Sequence, residues 1–355
     1  MQGRHWLAIV LCCAPMCAMP NGEQNRETAL AHAEQVAEQH PQSAGAANAL
    51  GEALDEARRY DDARQSFEKA IHLKAGYGQA YLNLGLVLLQ LNAQDKAAPN
   101  LDEAIKLLGN TPEAGYALYL RAKIYTARDD YDDALRALTR AVTLRPDLAE
   151  AWSDLGATRK AKLDDRGALA AFKKAAALNP DDPVAQYRLG AEYLRLNDAR
   201  LATEHLQFAY QRNPQDQSVL NALQSALRKL GKTAQADQIR AQLAKVLRDR
   251  DKAMQNAVAA VRLNDEGANL QKEGNLQAAL EKYRQASQLY PDHVGIRVNY
   301  AVALLRLGHW TDGLKELHEA LRRDPGNTQI RLALKDALSQ APPALIPKWS
   351  DSEAH

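Results

Sequence analysis

Residues 149–182 read AEAWSDLGATRKAKLDDRGALAAFKKAAALNPDD, and this stretch decides the fold. It contains two helical runs rich in alanine, the best helix former, with a polar turn at Asp164 and Asp165 between them. Pro180 follows the second run, where the helix must stop. The stretch predicts a helix–turn–helix unit of about 34 residues.

The same unit recurs along the chain. Successive windows open at Ala44, Gly78, Gly115, Ala149, Pro183, Gln217, Ala260 and Val294. The eighth position of these windows holds Gly51, Gly85, Ala122, Gly156, Gly190, Gln224, Gly267 and Ala301. Alanine dominates the twentieth and twenty-seventh positions, and a large apolar residue recurs at the twenty-fourth. Two helices that cross closely need a small residue at the contact, so each window predicts one such crossing.

These columns resemble the tetratricopeptide repeat family. Residues 149–182 match nearly every family position, with Trp152, Leu155, Gly156, Ala168, Phe172, Ala175 and Pro180. The resemblance implies an all-α fold, a right-handed superhelical solenoid of helix–turn–helix repeats. It covers about 250 residues, and such arrays commonly end in a polar capping helix.

The repeats divide the chain into seven segments. We predict a signal peptide at 1–18, a segment with a degenerate half repeat at 19–43, five repeats at 44–216, a degenerate sixth repeat and long helix at 217–259, two repeats at 260–327, a capping helix at 328–340 and a disordered tail at 341–355. Asp61 and Asp132 stand where an N-cap of the second helix is expected.

A stretch without glycine or proline, residues 232–266, sets the sixth window apart. Apolar residues continue there at helical spacing, which favours one long inter-block helix. Two helices with a kink near Arg248–Asp251 are the alternative.

The first residues differ from the rest. Arg4 precedes a short apolar run, and small residues up to Ala18 follow it, as in a secretory signal peptide. The three cysteines, Cys12, Cys13 and Cys17, all lie in this segment. Lipidation of one of them fits less well, because neither Cys12 nor Met16 is the small residue expected before a modified cysteine. An ordinary apolar first helix is a further alternative. We expect an exported bacterial protein, periplasmic or secreted.

Charge and motif content argue against several function classes. Lys and Arg number 45 and Asp and Glu 44, so no bulk positive field favours a nucleic-acid partner. Later segments are too polar to span a membrane. The histidines lack metal-ligand spacing, and His205 is interpreted as a partly exposed helix residue. We therefore expect no enzyme activity, no cofactor and no metal; the sequence leaves the oligomeric state unknown.

The resemblance implies a binding surface, because in this family the first helix of each repeat lines a concave groove. The resemblance places the peptide-binding groove of this chain at Leu82, Leu86, Leu89, Tyr116, Tyr119, Lys123, Lys160, Tyr187, Leu194 and Arg195. The same positions hold acidic or polar residues in the first repeat, and one polar and two basic residues in the sixth: Asn48, Glu52, Asp55, Glu56, Asn221, Arg228 and Lys229. Some of these side chains could instead pack between neighbouring helices.

Two hypotheses for function follow. The first is a non-catalytic protein-binding scaffold or adaptor of a bacterial cell envelope, which recognises an extended peptide or a partner helix. The second is a structural accessory subunit of an envelope assembly for polysaccharide export, pilus or secretin assembly.

Overall fold

The computed structural model of the chain describes residues 20–324 and 326–344, with side chains from residue 25 onward. Within these ranges every regular element is an α-helix, which confirms the predicted all-α class. Contacts divide the chain into two compact units, with the boundary between Ala236 and Asp237.

The first unit holds twelve helices among the residues described. These are α1 Pro20–Gln39, α2 Ala44–Glu56, α3 Tyr60–Leu73, α4 Gly78–Gln90, α5 Gln94–Leu108, α6 Pro112–Ala127, α7 Tyr131–Leu144, α8 Ala149–Ala161, α9 Asp165–Leu178, α10 Pro183–Arg195, α11 Ala199–Arg212 and α12 Gln217–Lys229. Then follow α13 Thr233–Lys272, which crosses the boundary, and α14 Leu276–Leu289, α15 Val294–Arg306, α16 Trp310–Arg323 and α17 Thr328–Gln340 in the second unit.

Consecutive helices pair as the repeat pattern predicts. In the first unit α2 packs on α3, α4 on α5, α6 on α7, α8 on α9 and α10 on α11; in the second, α15 packs on α16. Most predicted windows begin at the first residue of a helix. The third and seventh windows are the exceptions. Helix α6 begins at Pro112, three residues before Gly115, and Ala260 lies inside α13. The longer turn before it contains Gly109 with a left-handed φ of 68°, and Thr111 caps α6.

The small and large columns meet face to face. A Cβ built on Gly156 would lie 2.6 Å from Phe172 Cδ1, and one on Gly51 only 2.5 Å from Phe67 Cε1. Phe67 and Phe172 are themselves almost fully buried. The aromatic ring thus occupies the space that the glycine leaves open, and the two helix backbones approach closely.

Tight turns join the two helices of a repeat. In the first unit the turn residues Arg58, Asn92, Asp129, Leu163 and Asn197 have φ between 56° and 66°. The predicted N-caps Asp61 and Asp132 are wrong: both lie inside the first helical turn, after the capping residues Arg59 and Asp130. Their carboxylates instead lie near the positive end of the helix dipole, where a negative charge stabilises the helix.

The long helix predicted from residues 232–266 is present as α13, one helix of 40 residues rather than two. At 1.5 Å per residue it is about 60 Å long. Within the second unit, Ala260 of α13 packs with Ala286 of α14 and Ile296 of α15.

The predicted signal peptide, Pro325 and residues 345–355 lie outside the described residues. The degenerate half repeat predicted within residues 19–43 contains α1, which begins at Pro20. The predicted capping helix is α17. Ala341 directly after it was expected in the disordered tail, but it is buried in the core cluster that contains Leu334 and Leu314.

Candidate binding surface

The first helices of the repeats lie beside one another in the first unit. Contacts join α2 to α4, α4 to α6 and α10 to α12. Hydrogen bonds connect successive first helices one repeat apart, from a side chain at the sixth position to one at the fifth position of the repeat before. The pairs are Asn83 Nδ2 to Asn48 Oδ1 at 3.2 Å, Arg188 Nη1 to Ser153 Oγ at 2.7 Å and, in the second unit, Asn299 Nδ2 to Asn264 Oδ1 at 2.9 Å. Polar side chains thus hold the first helices in register.

An open pocket of about 310 Å³ lies where α4, α5 and α6 meet. Three predicted groove residues, Leu86, Leu89 and Lys123, contribute to its wall. The remaining lining residues are Gln90, Gln94, Leu120, Ile124 and Ala127. Sequence reasoning missed Gln94, Leu120, Ile124 and Ala127, although Ala127 occupies the thirteenth repeat position that supplied Arg195. The pocket combines an apolar wall with an exposed ammonium group.

Two predicted groove residues are core residues instead. Leu82 is 4% exposed and Tyr119 is 9% exposed, and both belong to the main hydrophobic cluster of the first unit. Burial raises the pKa of the Tyr119 phenol, and Asp154 and Glu150 nearby raise it further, so the ring stays neutral. These two side chains offer little free surface to a ligand.

The aromatic pair on α6 is formed as its spacing predicts. The rings of Tyr116 and Tyr119 lie 6.0 Å apart between centroids. Lys123 Nζ sits 5.7 Å from the Tyr119 ring centre, and the guanidinium of Arg145 lies 5.4 Å from that of Tyr116. Tyr116 is half-buried and Lys123 is exposed. On α6, therefore, Tyr116 and Lys123 are available to a ligand, and the buried Tyr119 packs beside them.

The predicted residues on α8 and α10 lie outside the pocket. Tyr187 and Leu194 are half-buried, whereas Lys160 is exposed. Arg195 is exposed but donates to the buried Glu192 and also pairs with Asp165. These two carboxylates raise the pKa of Arg195 and neutralise its charge locally. Among the predicted groove residues, the positive charge is therefore left to Lys123 and Lys160.

The acidic start of the surface is a hydrogen-bonded cluster. Glu52 Oε1 accepts from Asn48 Nδ2 at 3.0 Å and from Asn83 Nδ2 at 2.9 Å. Burial raises the pKa of Asp55 above its usual value, and the negative charges of Glu56 and Glu52 add to the rise. The α2 end of the surface is consequently electronegative.

Candidate metal sites and membrane-spanning helices are both absent from the residues that the structure describes. That part of the chain brings together no group of three His, Cys, Asp or Glu side chains that could hold a metal ion. None of its helices has the length and apolar character that crossing a bilayer requires.

His205 is half-buried, as predicted, with its ring stacked on Tyr193 at 5.6 Å between centroids.

Two family models match the chain. A tetratricopeptide repeat model matches residues 270–338, and the model of the tetratricopeptide repeat protein 21 ARM repeat matches residues 29–157.

Two curated relatives match short stretches. The human small glutamine-rich tetratricopeptide repeat-containing protein beta is 44% identical over 57 residues, which are 16% of this chain and 19% of that protein. The BBSome complex member BBS4 homolog of Drosophila melanogaster is 23% identical over 107 residues, 30% of this chain and 22% of that protein. The chain thus spans about a fifth of the length of these relatives.

Similar solved structures include YrrB, described as a TPR protein with an unusual peptide-binding site. It is 21% identical, with a TM-score of 0.45, and the match covers 54% of this chain and 96% of YrrB. MamA residues 41-end from Desulfovibrio magneticus RS-1 is 22% identical, with a TM-score of 0.44, and the match covers 49% of this chain and 97% of that one.

Proposed function

Because the chain belongs to the tetratricopeptide repeat family, we propose that it is a non-catalytic scaffold that binds an extended peptide or a partner helix along the first helices of its first unit. The observation that carries the proposal is the pocket between α4, α5 and α6. Leu86 and Leu89 line it together with the exposed Lys123, at a place where the packing of the repeats leaves an opening. Binding sites of proteins combine an apolar wall with a few polar groups in this way.

The charges around the pocket define the ligand's chemistry. Lys123 favours an acidic residue next to a bulky apolar side chain that fills the space beside Leu89. Glu52 and Asp55 on α2 favour a basic residue further along the ligand. The best complement is an extended segment with one large apolar anchor, an acidic residue on the α6 side and a basic residue on the α2 side.

The proposed place of action is the bacterial cell envelope, on the basis of the charged, apolar and small-residue order of residues 4–18. The second candidate, a structural accessory subunit of an envelope assembly, shares that location. The purified chain used as bait in an envelope extract separates the two. A scaffold for peptides returns several proteins that share a segment, whereas an assembly subunit returns one complex in fixed stoichiometry.

The test of the surface is the double variant Leu89→Ala with Lys123→Glu. We expect it to lose the proteins that the wild-type chain captures, and to bind a synthetic peptide from one of them at least about tenfold more weakly. The melting temperature should change little, because Lys123 is exposed and Leu89 only half-buried. Capture is measured by quantitative mass spectrometry and affinity by titration calorimetry.

Two controls make the result specific. Lys69→Glu makes the same charge change at an exposed site on the second helix α3, and should leave capture intact. Tyr119→Ala removes a core side chain, so it should lower the melting temperature as well as binding. Unchanged capture by the Leu89 and Lys123 double variant would exclude this pocket as the site.

A further inference from the structure

A row of exposed apolar side chains runs along α13 in the second unit. Met254, Val258 and Val261 are 70%, 65% and 45% exposed, and their spacing of four and three residues places them on one side of the helix. A contiguous apolar patch at the surface commonly marks an interaction site. The core packing of the unit uses a different face of the same helix, where Ala260 is fully buried against Ala286.

Charged residues bracket this row with a particular order. Asp251 and Arg262 lie on one open face of α13 together with Met254, Gln255, Val258 and Ala259. Beyond them, Arg248 and Asp265 extend the pattern outward by three residues on each side, and both are exposed. Along the helix, the positive Arg248 and the negative Asp251 precede the apolar row. The positive Arg262 and the negative Asp265 follow it.

We propose that this face pairs with the same face of a second copy of the chain, with the two α13 helices antiparallel. Reversal of one copy places each Asp251 opposite Arg262 of the other, and each Arg248 opposite Asp265. The same register places Met254 beside the small Ala259, and Val258 beside Gln255. Asp251 and Arg262 lie on the same side of the apolar row. When two identical helices pack antiparallel, this side of one helix faces the same side of the other.

A parallel pair in the same register would place each charge beside its like. Repulsion between like charges at a contact disfavours that arrangement and selects the antiparallel one. The ion pairs that Asp251 and Arg262 make within α13 compete only weakly with the proposed pairs between the two copies. Arg250 to Asp251 and Arg262 to Glu266 are both 3.9 Å long and exposed, a geometry that contributes little stability.

The contact is small, because one helical face from each copy supplies it. Interfaces at the low end of the size range are commonly weak and reversible. We therefore expect a dimer whose population grows through the micromolar concentration range.

The experiment is sedimentation velocity on the full chain over that range. The wild-type chain should shift from monomer to dimer mass. Asp251→Arg and Arg262→Asp should each remain monomeric, since each places like charges together at both ends of the pair. An equimolar mixture of the two variants should dimerise again, because every contact is then between opposite charges.

Leu332→Lys is the matched control, since Leu332 is 61% exposed on α17 of the same unit and lies outside the row. It should dimerise as the wild-type chain does. A wild-type chain that stays monomeric throughout, a dimer that survives both charge reversals, or a variant mixture that stays monomeric would each overturn the proposal. The peptide surface of the first unit is tested by other residues, so either proposal can fail alone.

Discussion

At the scale of single residues, glycine at the eighth repeat position determines how closely the two helices of a repeat approach. A Cβ on Gly85, Gly156 or Gly190 would meet Leu101, Phe172 or Leu206 at 2.6 to 2.7 Å. Real Cβ atoms do not approach other carbon atoms so closely, so the large neighbour or the helix would have to move. The glycine is therefore required by packing, although its own backbone is ordinary helix.

Gly156→Ala should destabilise the first unit by about 1–3 kcal/mol, the usual effect of overpacking a core. The added methyl would lie 2.6 Å from the Phe172 ring, which neighbouring side chains hold in place. Urea denaturation followed by circular dichroism measures the change. Gly76→Ala is the control, since its Cβ would meet no described atom within 4 Å. Equal stability of the two variants would show that the α8–α9 contact is looser than described.

The same scale shows where sequence reasoning stopped. The eighth and twenty-fourth columns predicted the buried glycine–aromatic contacts correctly, because both partners lie within one repeat. The repeat position of Tyr119 predicts a groove residue, yet its side chain is buried. Its exposure depends on side chains of the next repeat, and a repeat position alone carries no information about them. The repeat position of Arg195 predicts a groove residue as well, yet Glu192 on the same helix and Asp165 of the preceding repeat neutralise its charge.

At the scale of elements, α13 differs from the other helices in its length and in its content of exposed apolar residues. Its continuity follows from the sequence, since residues 232–266 contain no residue that stops a helix. Its exposed row could not be predicted, because the stripe of apolar residues looked like an ordinary core face.

Asp251→Pro tests the continuity of α13. Proline inside a helix removes one hydrogen bond and clashes with the preceding turn, which costs about 3 kcal/mol or more. We expect loss of helical signal in circular dichroism and faster amide exchange over the residues around 251. Proline at Val246 should act similarly. Damage at Val246 with indifference at Asp251 would instead indicate a natural break at the second site.

At the scale of the whole molecule, the repeat pattern predicted the fold class and the helix positions. The same local contact recurs in every repeat, so the residues at the recurring repeat positions determine which helices pair. The identity of the partner does not follow from the same reasoning, because it depends on surface side chains that differ from one repeat to the next.

Export is the prediction that concerns the whole chain. If residues 1–18 form a signal peptide, the chain recovered from a bacterial host should lack about eighteen N-terminal residues. Intact-mass spectrometry of the periplasmic and cytosolic fractions measures this. Retention of Met1 in the cytosol would contradict export, and a mass increase equal to a diacylglycerol on a cysteine would indicate a lipoprotein.

The regular contact between successive repeats has an evolutionary consequence. Residues 145–148 and 179–182 both carry proline followed by aspartate between a second helix and the next first helix. A gene that lost or duplicated the codons for residues 149–182 would join equivalent turns and equivalent helix faces. The descendant chain would keep its folding rules while its binding surface became shorter or longer by one unit. Under the proposed function, such a change would alter the length of the partner segment that the surface binds, without passing through an unfolded ancestor.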